Sequence, residues 1–352
     1  MLNNLIIPNK LNSGDTIATI SLSWGGAATF PSRYEIGVER LRNIFGLNVL
    51  PTKHALKSAD WLKKNPAARA DDLMEAFVNP KIKGIISIIG GDDSIRLLPY
   101  IDYKTILNNP KIVLGFSDTT ITHFICLKAG LRSYYGTSVM TGFAENHSMH
   151  AYTVAGLNKT IFSNDLIGNI PQNTMGWTNQ LLNWENPNNQ HKPRKLNECL
   201  KWNFISNTNI TSVQGRLIGG CVDTFAFMLG TDIWPQLNYW DNSILFLETS
   251  EEEMSPNQLM RVLRNLAAQG ILNKVNALLF GKPGGHNITS KDIDKYDTAI
   301  LQILDESDLC NLPIVSNLDF GHTDPFWTIP YGALAEIDFI NKTIIIKESG
   351  TS

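Results

Sequence analysis

The chain has 352 residues, enough for two domains of ordinary size, and its 43% hydrophobic and 18% charged content is that of a folded globular protein. A formal net charge of -3 with no basic stripe argues against a nucleic-acid binder. Cys126, Cys199, Cys221 and Cys310 form no C-x-x-C pair, which argues against zinc and for a reducing compartment, so neither a metal nor a cofactor is expected. The N-terminus shows no basic, then apolar, leader pattern, and no run approaches ~18 apolar residues. No signal peptide and no membrane span are therefore expected, and the default setting is cytoplasmic.

Residues 1–165 read as alternating strand and helix. Thr16–Ser21 is a short strand, followed by a loop at Trp24-Gly-Gly26. Pro31 opens a helix to Phe45, with Ile36, Val38, Leu41, Ile44 and Phe45 in roughly helical spacing. A second helix starts at Asn65-Pro66 and runs to Val78. Gly84–Ile89 is a near-continuous apolar run, the signature of a strand buried on both faces, and Gly90-Gly91 ends it before a helix at Asp92–Leu98. Ile112-Val-Leu-Gly115 is the next strand. Ser117 follows two residues later, and Asp118-Thr-Thr120 opens a helix to about Lys128. The alternation predicts an α/β fold with a doubly wound parallel sheet, in which ligands bind beyond the carboxyl ends of the strands. Both Gly90-Gly91 and Ser117 stand at such ends.

Residues 166–212 break the pattern. They are rich in Asn, Pro and Trp, including Trp177, Trp184 and Trp202, and read as a linker or as a loop for substrate contacts. Residues 213–352 form a second, smaller mixed β/α domain. Its marks are Val213–Phe225 with Gly219-Gly220, the strand Ser243–Glu248 ending in a carboxylate, and a helix from Ser255-Pro256 with Gln258 three residues after the cap. Gly270 ends that helix, Ala277–Gly281 and Pro313–His322 are further strands, and 333–347 is a hairpin about Asn341-Lys342. Gly219-Gly220 suits either a backbone approach to a ligand or a turn into a helix.

Ser117 admits two readings. Ser and Asp are ordinary helix N-caps, and Thr119 stands where a G-x-S-x-G elbow has its second glycine. A serine at a strand–helix bend is also exposed beside the helix N–H groups, which stabilise an oxyanion. As a nucleophile it needs a base near neutral pKa, and the base needs an acceptor to fix its tautomer. His322, after a strand and beside Gly321, and Glu248, at a strand end, fit those parts. His123 and His286 are rival bases, and a solvated carboxylate or a structural histidine is the plain alternative for each partner.

These residues, with Ile89-Gly-Gly-Asp-Asp-Ser94, Gly115-Phe-Ser-Asp118, Tyr135-Gly136, Gly215-Arg-Leu-Ile-Gly-Gly220, Leu245-Phe-Leu-Glu248 and Phe320-Gly-His322, resemble the LD-carboxypeptidase family of serine peptidases over nearly the whole chain. The resemblance implies a Ser117–Glu248–His322 triad split between two domains, an oxyanion hole from the N–H groups of Asp118 and Gly91, and a homodimer. The Gly-Gly-Asp-Asp-Ser turn and the long Trp-bearing segment look most like the microcin immunity branch. There the segment stacks a nucleotide, a part open to Trp184 and Trp202 here. Gly220-Cys-Val-Asp223 departs from the Gly-Gly-Asn associated with that branch, so no residue is assigned to a substrate carboxylate. The expected activity is hydrolysis of a C-terminal amide in a peptidyl- or aminoacyl-nucleotide. Murein tetrapeptide LD-carboxypeptidase is the alternative within enzymes, and a non-catalytic two-domain ligand-binding module the alternative outside them.

Overall fold

The computed structural model describes residues 2–352. In chain order its strands are β1 Thr16–Ile20, β2 Asn48–Pro51, β3 Ile82–Ser87, β4 Ile112–Gly115, β5 Tyr134–Tyr135, β6 Leu166–Asn169 and β7 Asn203–Ile205. They continue as β8 Ser212–Cys221, β9 Ser243–Glu248, β10 Val275–Gly281, β11 Ile314–Leu318, β12 Ile329–Pro330, β13 Leu334–Asp338 and β14 Thr343–Ser349.

The first sheet has the order β12-β5-β4-β3-β1-β2. β1 to β5 pair in parallel, as the α/β alternation requires, and every residue of β4 is buried. The helices Pro31–Asn43, Pro66–Val78 and Thr119–Ala129 belong to this half. Strand order 2-1-3-4-5 puts the topological switch between β1 and β3, and the loops after β1, β3 and β4 all open at that end.

The second sheet has eight strands in the order β6-β14-β13-β8-β9-β10-β11-β7. Its centre, β8 to β11, is parallel, and both flanks are antiparallel. The expected helix after Ser255 forms as Pro256–Ala268. Ser255 Oγ accepts the Gln258 N–H, and the Gln258 side chain accepts the Ser255 N–H.

Two features depart from the three-part division of the chain. Residues 166–212 are not only a connection: they supply β6 and β7, the two edge strands of the second sheet. β12, from the last quarter of the chain, crosses back and pairs antiparallel with β5, closing one edge of the first sheet. The halves also share one hydrophobic core. Phe124, on the helix after Ser117, stacks with Trp234 at 6.0 Å between ring centroids and meets Phe225 edge-on at 5.9 Å.

Candidate active site

The chain leaves β4 at Gly115 and turns at Ser117 into helix Thr119–Ala129. Ser117 sits at φ 61°, in the left-handed region that non-glycine residues seldom occupy, which marks a strained elbow. Its N–H donates to the Tyr135 hydroxyl at 3.3 Å. No hydrogen bond from another described residue holds Ser117 Oγ or the Asp118 N–H. Asp118 is buried and accepts the Ser94 N–H at 3.1 Å; burial pushes its carboxyl up to about 6.

The turn after β3 lies directly over the elbow. A side chain at Gly90 would meet Ser117 Oγ at 2.7 Å, so only glycine lets the turn approach this closely. Gly90 is thus the glycine whose α-carbon faces the serine. Gly91 follows at φ 145° against Ser23. The turn is fastened below: Asp93 binds the fully buried Arg69 guanidinium at 2.6 Å, and its N–H donates to Ser23 Oγ at 3.1 Å.

Glu248 and His322 come from the second sheet. Glu248 ends β9 with no exposed surface. Its Oε2 lies 2.7 Å from His322 Nδ1, and its Oε1 accepts the Tyr135 hydroxyl. Gly321, at φ 102°, allows the chain to pass over Glu248; a side chain there would meet Glu248 Oε2 at 2.8 Å. The His322 ring packs on Phe116, the residue before the nucleophile candidate, with centroids 4.9 Å apart. Tyr135 therefore joins the halves of the site: its hydroxyl takes the Ser117 N–H and donates to Glu248. Tyr135 was visible in the sequence as part of a motif, but the phenol's two bonds come from contacts 18 and 113 residues away in the chain.

The imidazole's other nitrogen is also engaged. His322 Nε2 lies 3.0 Å from Oε2 of Glu251, whose side chain is 56% exposed. Burial favours the neutral ring, but Glu248 and Glu251 outweigh it and hold the His322 pKa well above the usual imidazole value. The same pairing, offsetting partial burial, brings Glu251 down to about 2. Glu251 carries no motif, and nothing in the primary order marks it. Cys221 Sγ closes the group, within 4.8 Å of ligand atoms of Glu248 and His322. Burial, then Glu248 and Asp223, raise its thiol far above its ordinary value, so it stays protonated.

The rival bases lie elsewhere. His123 is buried beneath the elbow between Ser133 Oγ and the Gly115 carbonyl, both at 2.9 Å, and burial lowers its pKa to about 4. His286 holds the Asn179 carbonyl at 2.7 Å. Gly219-Gly220 lies at the end of β8, directly before the helix from Val222, and brings that strand against the Ser117 helix, where the Cys221 N–H donates to Thr120 Oγ1 at 3.2 Å.

The two tryptophans part company. Trp184 is half-buried, edge-on to Phe30 at 5.6 Å, with the Arg33 guanidinium carbon 4.6 Å from its ring centre. It borders an open cavity of about 160 Å³ together with Arg33, Asn146, Pro187 and Gln190. Phe30 in turn meets Trp24 at 6.0 Å, and the Trp24 N–H donates to the Gly90 carbonyl at 3.2 Å. An aromatic file thus runs from the glycine turn to the cavity. Trp202 is a correction to the expected pair of platforms. It is 6% exposed, packed in the core, with its Nε1–H donating to Asp319 at 2.8 Å, and it offers no open face for stacking.

These features define the class: a two-domain α/β protein whose strand ends bring a serine elbow from one sheet and a carboxylate-bound imidazole from the other side by side, joined through Phe116 and Tyr135. The chain belongs to the LD-carboxypeptidase family, whose N-terminal domain matches residues 17–136 and whose C-terminal domain matches residues 214–337. It is similar to the microcin C7 self-immunity protein MccF of Escherichia coli, 31% identical over 97% of this chain and 96% of that protein. A probable murein peptide carboxypeptidase of Bacillus subtilis is 25% identical over 98% and 95% of the two chains. Among solved structures, MccF in complex with aspartyl sulfamoyl adenosine superposes with a TM-score of 0.87 at 30% identity, covering 99% of this chain and all of that one. An MccF-like protein from Streptococcus pneumoniae in complex with AMP gives 0.84 at 31%, covering 95% and 99%.

Proposed function

We propose that the protein is a serine carboxypeptidase that hydrolyses the amide bond of a peptidyl- or aminoacyl-nucleotide, a detoxifying activity of the microcin immunity kind. The observation that carries this reading is the 2.7 Å His322–Glu248 pair packed on Phe116, next to a serine held at positive φ. In this reading Ser117 Oγ attacks the carbonyl carbon while His322 Nε2 takes its proton. Glu248 holds Nδ1–H and balances the imidazolium. The Asp118 and Gly91 N–H groups receive the developing oxyanion. His322 then gives its proton to the leaving nitrogen, and water, deprotonated by the same imidazole, releases the acyl group.

The nucleotide preference is supported by the aromatic file of Trp24, Phe30 and Trp184 leading from the glycine turn to an open cavity, and by nucleotide-bound relatives. Base–aromatic stacking contributes about 1–3 kcal/mol per base. The cytoplasmic setting and a homodimer belong to the same reading.

The test is direct. A fluorophosphonate should add one covalent mass to the protein and none to Ser117→Ala. An aspartyl–adenosine amide should be cleaved faster than a murein tetrapeptide. Trp184→Ala should raise KM for the nucleotide about fivefold or more and leave murein turnover unchanged. A folded protein that is neither labelled nor active on either substrate is a binding module, and equal losses on both substrates remove the stacking role.

A further inference from the structure

The imidazole assigned as base has no free nitrogen. Nδ1 is bound by Glu248 at 2.7 Å and Nε2 by Glu251 at 3.0 Å, while Ser117 Oγ holds no hydrogen bond from another described residue. Nε2 cannot take a serine proton while a carboxylate occupies it.

Glu251 is held in place by its neighbours. The Ser250 N–H donates to Asp223 Oδ2 at 2.9 Å, and Thr249 Oγ1 accepts the Gly284 N–H at 3.1 Å. On the other side Glu253 accepts the Asn287 N–H at 2.7 Å. The turn is fastened at both ends, yet the Glu251 side chain is 56% exposed. An exposed carboxylate leaves a cationic partner most readily when another cation replaces it; a carboxylate on the substrate would be repelled from the same place.

Resting on the hydrolase reading, we infer that Glu251 selects the substrate: it leaves His322 Nε2 to bind a primary ammonium on the residue whose carbonyl is attacked, which frees the base only when such a substrate is present. One ion pair is traded for another; the imidazolium, relieved of one of its two carboxylates, releases its Nε2 proton to solvent water, and the neutral Nε2 then turns to Ser117. The ammonium is an α-amine or a side-chain amine, and the two are separable by experiment.

One amide scaffold on adenosine supplies both arms. In the first, an aspartyl compound with a free α-amine is compared with its N-acetylated twin. In the second, N-acetyl-lysyl is compared with N-acetyl-norleucyl. The wild-type protein should favour the ammonium member of one pair by about tenfold or more in kcat/KM, and Glu251→Gln should bring that ratio to within about twofold. The acid limb of kcat/KM should also move to lower pH in Glu251→Gln, because one of the two carboxylates facing the ring has lost its charge. Glu248 from β9, Tyr135 from β5, and Cys221 and Asp223 from the β8 end stay in place in that variant, and His286 faces Glu251 from the loop after β10. Ratios near one in both arms for wild type, or an unchanged ratio in Glu251→Gln, overturn the inference while leaving the hydrolase intact. No turnover together with no labelling at Ser117 overturns both.

Discussion

Ser117 is kept at φ 61° although a non-glycine residue pays about 1–3 kcal/mol to stay in such a region. The surroundings over-determine it: the Tyr135 hydroxyl holds its N–H, Gly90 presses on its side chain, and the Thr120 N–H donates to its carbonyl at 2.9 Å. Tyr135 is thus a positioning residue for both the serine and Glu248. Tyr135→Phe should lower kcat about tenfold with KM nearly unchanged. Losing the phenol's donation makes Glu248 a stronger partner for the imidazolium, so the acid limb of kcat/KM should shift to higher pH, whereas loss of folded protein alone would not move it. The sign is consistent with the resting state: a raised His322 pKa stabilises the fold below the ordinary imidazole range, and that contribution fades as pH rises through the folded pKa, where the ring becomes neutral, the form the proposed mechanism needs. Ser117, Glu248 and His322, which the fold brings to one place, stood out in the sequence because each lies at or just past the end of an apolar strand, a position where polar side chains need a reason. Tyr135 and Glu251 were not, since their roles arise from contacts across the fold. Trp202 misled because an aromatic in a polar segment reads the same whether it caps a core or opens to a ligand.

At the level of elements, the turn from Gly90 to Asp93 matters more than its length suggests. It leans on the elbow, starts the aromatic file and is held through Asp93, which binds the buried Arg69 at 2.6 Å and the exposed Arg96 at 3.1 Å. Removing one member of such a pair leaves an uncompensated buried charge, at about 3–5 kcal/mol. Asp93→Ala should therefore lower the unfolding midpoint in denaturant by an amount corresponding to about 3 kcal/mol and slow acylation at Ser117. A stability near wild type with full activity would show that the turn holds itself. Elements with local signals were legible here: the Ser255–Gln258 cap, the Gly84–Ile89 run and the closing hairpin β13–β14 all form near their expected bounds. Helix Ser290–Glu306 went unread although Thr289 and Asp292 make a capping box. β6 and β7 carry only four and three residues, too few for a periodicity, and exist because longer strands of the second sheet offer them an edge.

On the scale of the whole molecule, two sheets do not make two independent units. Phe124, Phe225, Trp234 and Tyr331 pack across the halves, and Tyr135 bonds Glu248 through that interface. Calorimetry should show a single unfolding transition, with the calorimetric and van't Hoff enthalpies equal. Two separated transitions would mean that the shared core is not cooperative. The return of β12 to β5 carries this coupling into synthesis. Tyr134 and Tyr135 lie on a strand whose outer edge finds no mate until residues 329 and 330 have left the ribosome, and the imidazole at 322 emerges only slightly earlier. On the proposed mechanism, a nascent chain therefore carries its serine for most of translation without the imidazole that would take its proton.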